Sequence, residues 1–219
     1  MDKAASQSGL TLSDLSVYRR SGEKLLQVNA HVLPGRTLTI MGPSGIGKST
    51  LLAAITGTLS PDFRCSGSVR LNDRELMQVP PEKRRLGILF QDHLLFPHFS
   101  VAQNLAFGLP PRTKHRRARV EQALEDIDLK GFASRDPASL SGGQRARVAL
   151  MRMLLSEPEA LLLDEAFSRL DQDLRARMRR LVFAKAEQAQ LPVIMVTHDQ
   201  EDAEAAAGDI LRFPPPLAT

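Results

Sequence analysis

Cysteine, tryptophan and tyrosine are nearly absent from this 219-residue sequence, which has one cysteine, one tyrosine and no tryptophan. A single cysteine, Cys65, excludes an internal disulfide and a cysteine cluster for zinc. The longest apolar runs, such as ALLL at 160–163, fall far short of the roughly 18–20 residues of a membrane-spanning helix. The start, MDKAASQSGLTLSD, lacks the apolar core of a signal peptide. We therefore expect a soluble cytosolic protein that reaches a membrane only through a partner.

The charge balance excludes little. The formal net charge is +4 and the sequence pI is near 9.6. This small excess permits an anionic partner or a nearby membrane surface and requires neither. The hydrophobic fraction of 42% and the charged fraction of 25% are ordinary for a globular protein. The length allows one sizeable core with a subdomain.

The opening third of the sequence predicts strands and one helix. In LLQVNAHVL, apolar Leu26, Val28, Ala30 and Val32 alternate with polar residues, which is the period-2 pattern of a half-buried strand. TLTIM predicts a short strand that ends at a glycine, and LGILF at 86–90 predicts another buried one. Residues 48–56 predict a helix with Gly57 as its C-cap.

The middle of the sequence is mostly helical in pattern, whereas strands and helices alternate towards its end. Within 92–156, VEQALEDIDL predicts a helix, PPRTKHRRARV a basic connector, and the residues after LSGGQ a second helix with an apolar stripe (Ala146, Ala149, Leu150, Met153 and Leu154). Strands and helices then alternate: ALLLD, a long helix through 171–190, PVIMVT, a short acidic helix and ILRF. This alternation predicts an α/β fold with a mostly parallel sheet, into which the helical segment 92–156 is inserted.

A phosphate-binding loop follows the strand TLTIM. GPSGIGKST fits the pattern G-x-x-x-x-G-K-[ST] with a strand before it and a helix after it, and a chance match in this length is expected about one time in a hundred. Backbone N–H groups of 44–48 can wrap phosphates, Lys48 can bridge the β- and γ-phosphates, and Ser49 can bind Mg²⁺. The predicted nucleotide-binding residues here are Gly42, Pro43, Ser44, Gly45, Ile46, Gly47, Lys48, Ser49 and Thr50.

Candidate catalytic residues stand at the ends of other predicted strands. ALLLDEAF ends in Asp164, placed near a P-loop Mg²⁺, and Glu165, which can polarise an attacking water. His198 follows PVIMVT, in the stretch VTHD at 196–199, and is predicted to contact the γ-phosphate, while Gln91 follows LGILF as a candidate ligand of Mg²⁺ and water. Taken singly, a strand-end acidic pair, a histidine and a glutamine are ordinary surface residues. The P-loop gives them a common function.

LSGGQ, at 140–144, predicts a second anion site. Ser141, Gly142, Gly143 and Gln144 open a helix whose free N–H groups and dipole favour a phosphate. Two other features stay open. Tyr18 can stack on an adenine ring or simply end a strand. The basic run predicts a solvated face, with phospholipid contact as the weaker alternative; it comprises Lys114, His115, Arg116, Arg117 and Arg119.

These motifs, in this order, resemble the ATP-binding subunits of ABC transporters over nearly the whole chain. The resemblance rests on LSGGQ with GPSGIGKST, Gln91, ALLLDE, SRLD at 168–171 and His198, and the signature precedes Asp164 by about twenty residues. It implies a RecA-like P-loop core (1–91 and 157–219), an N-terminal antiparallel β subdomain and an α-helical subdomain (92–156). It also implies an ATPase that uses ATP and Mg²⁺, with Asp171 at the nucleotide and Tyr18 at the adenine. Ala166 stands where proline is usual, which bears on the stiffness of the turn.

The resemblance also implies partners. Two copies face each other head to tail, so that Ser141, Gly142 and Gly143 of one close on the γ-phosphate held by the P-loop of the other. Gln91 opens the loop that faces the membrane subunits. PPEKRRLGILFQDHLLFPHFSVAQNLAFGL is similar to bacterial importers, most of all to the thiamine type. The expected partners are two permease domains and, indirectly, a substrate-binding protein, and no nucleic acid is expected. The expected location is the cytoplasmic face of the bacterial inner membrane.

Other functions are compatible with the same cassette. An ABC subunit that extracts lipid or lipoprotein would carry the same motifs. Non-transport ABC proteins of translation or DNA repair usually carry two cassettes or a long coiled coil, and neither pattern occurs here. A nucleotide-binding assembly factor without turnover would not need Glu165 and His198. The apolar side chains of 91–107 predict a docking surface for the permease, with packing inside the helical subdomain as the alternative; they are Leu94, Leu95, Phe96, Phe99 and Phe107.

Overall fold

Two β-sheets and six helices make up the protein in a computed structural model that describes residues 8–92, 94–168 and 170–213. The polar start, Arg169 of the SRLD motif and the last six residues lie outside these ranges. An antiparallel sheet has the strand order β2-β1-β4-β5, formed by β1 (Leu10–Arg19), β2 (Lys24–Val32), β4 (Phe63–Leu71) and β5 (Arg74–Glu75). A parallel sheet has the order β6-β7-β8-β3-β9, formed by β3 (Thr37–Met41), β6 (Leu86–Leu89), β7 (Ala160–Asp164), β8 (Val193–Thr197) and β9 (Asp209–Arg212).

The parallel strands are short and apolar because both of their faces are covered. Every residue of β3 and β8 is buried, and so are four residues of β7. The helices are α1 (Lys48–Thr56), α2 (Val101–Gly108), α3 (Arg116–Asp126), α4 (Gly142–Leu155), α5 (Gln172–Gln188) and α6 (Gln200–Ala206). The predicted α/β fold with a mostly parallel sheet is confirmed.

Local sequence signals account for several boundaries. In β2, Leu26, Val28 and Val32 are buried and Ala30 is half-buried, while Gln27, Asn29 and His31 are exposed, as the period-2 pattern predicts. Gly57 ends α1 with φ of 79°, a left-handed conformation that glycine adopts without a Cβ clash. Ser141 starts α4 with a capping box, because its hydroxyl accepts from the N–H of Gln144 and the Gln144 side chain accepts from its N–H.

Three apolar clusters form the core. One joins the antiparallel sheet to α1 and to one face of the parallel sheet, and a second packs α4 and α5 against the other face. The third draws on α2, α3 and α4, with Leu105, Leu124 and Val148 among its buried members. The helical segment therefore has a cluster of its own, and α4 links that cluster to the sheet.

The predicted basic connector at 110–120 is wrong in its second half. Helix α3 already begins at Arg116, after His115, and it ends at Asp126. Arginine favours helix, and the buried residues Val120, Ala123 and Leu124 give this segment an apolar stripe. The Arg116 guanidinium donates to the carbonyl oxygens of residues 106, 109 and 110, which secures the start of the helix.

Candidate active site

The carboxyl ends of four parallel strands meet at one edge of the sheet. Met41 pairs with Thr197, Asp164 with Val196, and Leu89 with Leu163, so the strands end almost level. The P-loop, Gln91, the Asp164–Glu165 pair and His198 all follow these strands. The structure therefore places them along the edge where ligands bind in open α/β sheets.

The P-loop wraps around the ammonium group of Lys48. Gly45 and Gly47 have φ of 81° and 100°, which turn the chain sharply before α1. Lys48 is 5% exposed, and its ammonium donates hydrogen bonds of 2.8 Å to the carbonyl oxygens of Gly42 and Pro43. The positive end of α1 and a fixed ammonium thus share one small loop, which suits a polyphosphate.

Ser49 and Asp164 form an oxygen pair beside this loop. The Ser49 hydroxyl donates to Oδ1 of Asp164 at 3.0 Å. Burial raises the pKa of Asp164 and Glu165 adds to this, while Ser49 and Lys48 oppose it. A hydroxyl and a carboxylate are ligands that Mg²⁺ accepts, and no group of three or more His, Cys, Asp or Glu within the described ranges is placed to hold a metal ion. The pair therefore fits an ion shared with phosphate oxygens.

Glu165 and His198 face each other across the ends of β7 and β8. Nδ1 of His198 lies 3.3 Å from Oε1 of Glu165. Glu165 has φ of 47°, its N–H donates to the carbonyl of Val196, and its own carbonyl accepts from both N–H and hydroxyl of Ser168. A carboxylate and an imidazole held this way can accept and donate protons. Ala166, in place of the usual proline, is buried in the second core cluster.

Gln91 and Tyr18 do not join these pairs. Gln91 is exposed two residues after β6, and no hydrogen bond among the described residues connects it to Ser49 or Asp164. Tyr18 is half-buried on β1 opposite Lys24, whose ammonium lies 5.8 Å from the ring centroid. Hydrogen bonding to the hydroxyls of Ser66 and Ser16 lowers the pKa of Tyr18, with a further contribution from Lys24. Leu25, which follows Lys24 in β2, would contact a Cβ on Gly47, so the start of β2 approaches the P-loop.

The LSGGQ residues form a second group. Ser141 and Gly142 are exposed at the start of α4, and a Cβ on Gly142 would meet nothing within 4 Å. A Cβ on Gly143 would come within 2.5 Å of the Leu174 side chain, so the starts of α4 and α5 are adjacent. Asp171 caps α5 by accepting from the N–H of Leu174 at 3.0 Å. Across residues 42–49 and 141–144, all of them described, no hydrogen bond joins the two groups.

The sequence analysis missed two polar residues beside the site. Arg175, in the first turn of α5, donates at 2.8 Å to Asp199, which follows His198. The same guanidinium donates to the carbonyls of Ser168 and Leu170. Asp199 ends the stretch VTHD at 196–199, in which only His198 was given a role, and Arg175 belongs to no motif; their spacing of 24 positions gave no signal.

An aromatic surface lies on the helical segment after Gln91. Phe96 contacts Phe99 and Phe107 with ring centroids 5.4 and 4.6 Å away, and these rings and Leu94 are exposed. A groove of about 370 Å³ runs beside them. Arg152 lies over the Phe96 ring and donates to the carbonyl of Leu94, while buried Asn104 bonds the backbone of Phe96 and Phe99.

Comparisons with known proteins agree on the family. The family model described as ABC transporter matches residues 25–168. The chain is 48% identical over 198 residues to an uncharacterized ABC transporter ATP-binding protein, YnjD, of Escherichia coli, covering 90% of this chain and 91% of that protein. It is 42% identical to a sulfate/thiosulfate import ATP-binding protein, CysA, of Synechocystis, covering 85% of this chain and 53% of that protein. A spermidine/putrescine import ATP-binding protein, PotA, of Marinobacter nauticus is 41% identical, with 90% of this chain and 53% of that protein covered.

A solved structure agrees as well. The dimeric structure of MJ0796, a bacterial ABC transporter cassette, matches with a TM-score of 0.79 and 28% identity, over 95% of this chain and 97% of that one. The chain therefore belongs to the ATP-binding proteins of ABC transporters, a family that binds and hydrolyses ATP. It spans about half the length of the sulfate and polyamine relatives, 53% in each case. No helix within the described ranges is long and apolar enough to cross a membrane.

Proposed function

We propose that this chain is the ATP-hydrolysing subunit of a bacterial importer and drives solute uptake through permease partners. One observation carries the proposal. The Ser49–Asp164 pair and the Glu165–His198 pair lie at the same strand ends as the P-loop. An ion-binding pair, a proton-accepting pair and a phosphate loop are together the parts that phosphoryl transfer to water requires.

The roles we assign to the nucleotide-binding residues follow from their chemistry. The N–H groups of the P-loop and the Lys48 ammonium hold the triphosphate, and Thr50 extends the first turn of α1. Ser49, Asp164 and Gln91 hold Mg²⁺, which neutralises phosphate charge when bound. Tyr18 supports the adenine, a role favoured by its pairing with the start of β2, which approaches Gly47.

Glu165 and His198 act on the reacting groups. Glu165 is the group that orients and deprotonates the attacking water, because its carboxylate is partly exposed at the sheet edge. His198 donates to the γ-phosphate. Their separation of 3.3 Å lets the imidazole hold the carboxylate in place.

The LSGGQ group completes the site of a second copy. Ser141 and Gln144 form the capping box of an exposed helix start, where Gly142 and Gly143 offer their N–H groups, and Asp171 lies nearby at the start of α5. Because no hydrogen bond joins them to the P-loop of the same chain, we assign them to a facing protomer. The dimeric state of the related cassette supports an assembly of two copies.

The aromatic surface of the helical subdomain, which we place at 92–156, is the docking site for the permease. Exposed apolar rings beside a groove mark a protein contact, and Arg152 and Asn104 hold the loop in shape. Docking there places the chain on the cytoplasmic face of the inner membrane. A substrate-binding protein then meets the permease from the other side.

The cargo we propose is a small solute. The sulfate and polyamine importers among the relatives support import, and the thiamine-type resemblance of residues 80–109 adds thiamine to the candidates. Extraction of lipid or lipoprotein is the second function, and a non-transport role ranks below both. Uptake of sulfate, polyamine and thiamine by a deletion strain, with and without the restored gene, separates import from the alternatives.

The test of the hydrolytic site uses Glu165→Gln, which keeps the shape of the side chain and removes its basicity. Turnover should fall by about 10²–10⁴-fold, the usual worth of a general base. The ATP-bound dimer should then accumulate in size-exclusion chromatography with light scattering. Adding Ser141→Arg should abolish that dimer, whereas Ser134→Arg, at an exposed serine of the same segment, should not. A Glu165→Gln protein with wild-type turnover would refute the assigned base.

A further inference from the structure

Arg175 touches two catalytic loops at once. Its Nη1 donates to Oδ2 of Asp199 at 2.8 Å, and its Nη2 donates to the carbonyl oxygens of Ser168 and Leu170 at 3.1 and 3.2 Å. The side chain is only 23% exposed. One guanidinium therefore bridges the turn that follows Glu165 and the loop that follows His198.

The contacts close into a ring. From Glu165, whose carbonyl accepts from Ser168, the path runs through the Ser168 carbonyl to Arg175. Arg175 in turn binds the carboxylate of Asp199, which is joined through the backbone to His198. The path closes where Nδ1 of His198 lies 3.3 Å from Oε1 of Glu165. Both proposed catalytic side chains are members of this ring. Arg175 is therefore linked by hydrogen bonds and backbone to both of them.

Asp199, the residue that Arg175 binds, is held in place by hydrogen bonds of its own. Its N–H donates to the hydroxyl of buried Thr197, and its carboxylate accepts from the N–H of Glu201 at the start of α6. Arg179, one turn further along α5, lies 3.7 Å from the same carboxylate but is paired mainly with Asp202. Arg179 donates to carboxylates and not to the loop carbonyls, so it does not duplicate Arg175.

Only a planar fork makes this set of contacts. The Nε of Arg175 is buried without a hydrogen-bond partner, so the two terminal nitrogens alone hold the three oxygens. A lysine ammonium is a point charge on a flexible stem and can pair with Asp199 without spanning to both carbonyls. The Leu170 contact also ties in the residue just before Asp171, which caps α5.

We propose that Arg175 is a positioning residue for ATP hydrolysis, which sets Glu165 and His198 in register through the Ser168 turn and Asp199. This inference rests on the proposed function of Glu165 and His198. It predicts a specific kinetic pattern. ATP binding depends on the P-loop and should be unchanged, whereas kcat should fall about 10- to 100-fold, because misplacement of reacting groups by about 1 Å costs that much.

The variants are Arg175→Met and Arg175→Lys in the full chain, compared with Arg180→Met at an exposed arginine of the same helix. ATP hydrolysis at several ATP concentrations gives kcat and KM, fluorescent ATP analogues give the dissociation constant, and thermal melting gives Tm. We expect Lys to keep the wild-type Tm and to lose kcat nearly as Met does. Full kcat in Arg175→Lys, or a loss of ATP affinity as large as the loss of kcat, would overturn the positioning role.

Asp199→Asn tests the bridge from its other end and covers the case in which Arg175→Met does not fold. It should lower kcat without changing the dissociation constant, and combining it with Arg175→Lys should cost little more than either alone. Fully additive losses would overturn the bridge. The two failures are distinct. If neither the wild type nor Arg180→Met hydrolyses ATP, the proposed function is refuted. If both hydrolyse ATP and the Arg175 variants do so equally well, only the positioning role is refuted.

Discussion

The Ser49 hydroxyl donates a 3.0 Å hydrogen bond to the Asp164 carboxylate, across 115 positions of the chain. Asp164 is partly buried and its pKa is raised, so the charged form is disfavoured by its surroundings. A raised carboxyl pKa contributes stability only at low pH and loses it as the pH rises through that pKa. The protein thus retains a destabilising charge at neutral pH, as sites for cations often do.

Asp164→Asn should therefore raise Tm by a few degrees at pH 7, measured without nucleotide, because the amide keeps the acceptor for Ser49 and loses the charge. The advantage should shrink as the pH falls through the pKa of Asp164 and vanish once the wild-type carboxyl is protonated. ATP hydrolysis should be lost in the same variant. An equal or lower Tm at pH 7 would contradict the predicted cost of this carboxylate.

Lys48→Ala should abolish most ATP binding and all turnover. A hydrogen bond to a charged group contributes about 1.5–3 kcal/mol, which corresponds to roughly 10- to 150-fold in the dissociation constant. Isothermal titration with ATP measures this loss, and Lys130→Ala, at a lysine whose side chain is 82% exposed, is the matched control. Wild-type ATPase activity in folded Lys48→Ala would refute the whole nucleotide site.

Tyr18→Ala separates the two interpretations of the only tyrosine. If the ring stacks on adenine, the dissociation constant for ATP should rise about 5- to 150-fold, since stacking on a base contributes about 1–3 kcal/mol. Tyr18→Phe should then bind ATP as the wild type does. A fall in Tm with unchanged ATP affinity would show that the ring only ends a strand.

Arg84 should be a strong determinant of stability. It is 4% exposed and donates to the carbonyls of residues 54, 55, 77 and 79, including two at the end of α1. Arg84→Met leaves these acceptors unpaired and should cost about 2–4 kcal/mol, or roughly 5–15 °C in Tm. Arg85→Met, at an arginine that is 57% exposed, should change Tm little. Chemical and thermal unfolding compare the two.

Cysteines introduced at positions 95–99 should crosslink to a cytoplasmic loop of the permease. Cys65→Ser provides the background, since Cys65 is the only native thiol and is partly buried. A cysteine at exposed Ser134, outside the aromatic surface, should not crosslink. Crosslinks confined to the ATPase itself would mean that the rings serve the packing of the helical subdomain.

Much of the sheet and the site follows from local pattern. Strands β3, β7 and β8 are continuous apolar runs and the P-loop is a dense motif, so both were predictable from residues alone. Strand β1 was not, because a register shift between Leu12 and Leu15 breaks its alternation. The start of α3 was misjudged because arginines were taken as a solvated connector, although they are good helix formers.

The contacts between distant residues lay beyond the sequence. The spacing of Ser49 and Asp164, or of Arg175 and Asp199, is set by how strands β3, β7 and β8 align, and no periodicity encodes it. The motifs placed Glu165 and His198 at one edge, but their 3.3 Å separation depends on the unusual backbone of Glu165. Sequence reasoning identifies the participants, and the fold determines which of them touch.

The exposed cap at Ser141 and the P-loop stand on separate elements of one chain with no hydrogen bond between them. On the proposed function, each chain therefore carries two half-sites, and hydrolysis by the free protein needs an encounter between two copies. Specific activity should then rise with protein concentration instead of staying constant. A pair of permease domains would hold two copies within reach and replace this encounter by a high effective concentration, so that assembly itself sets the rate.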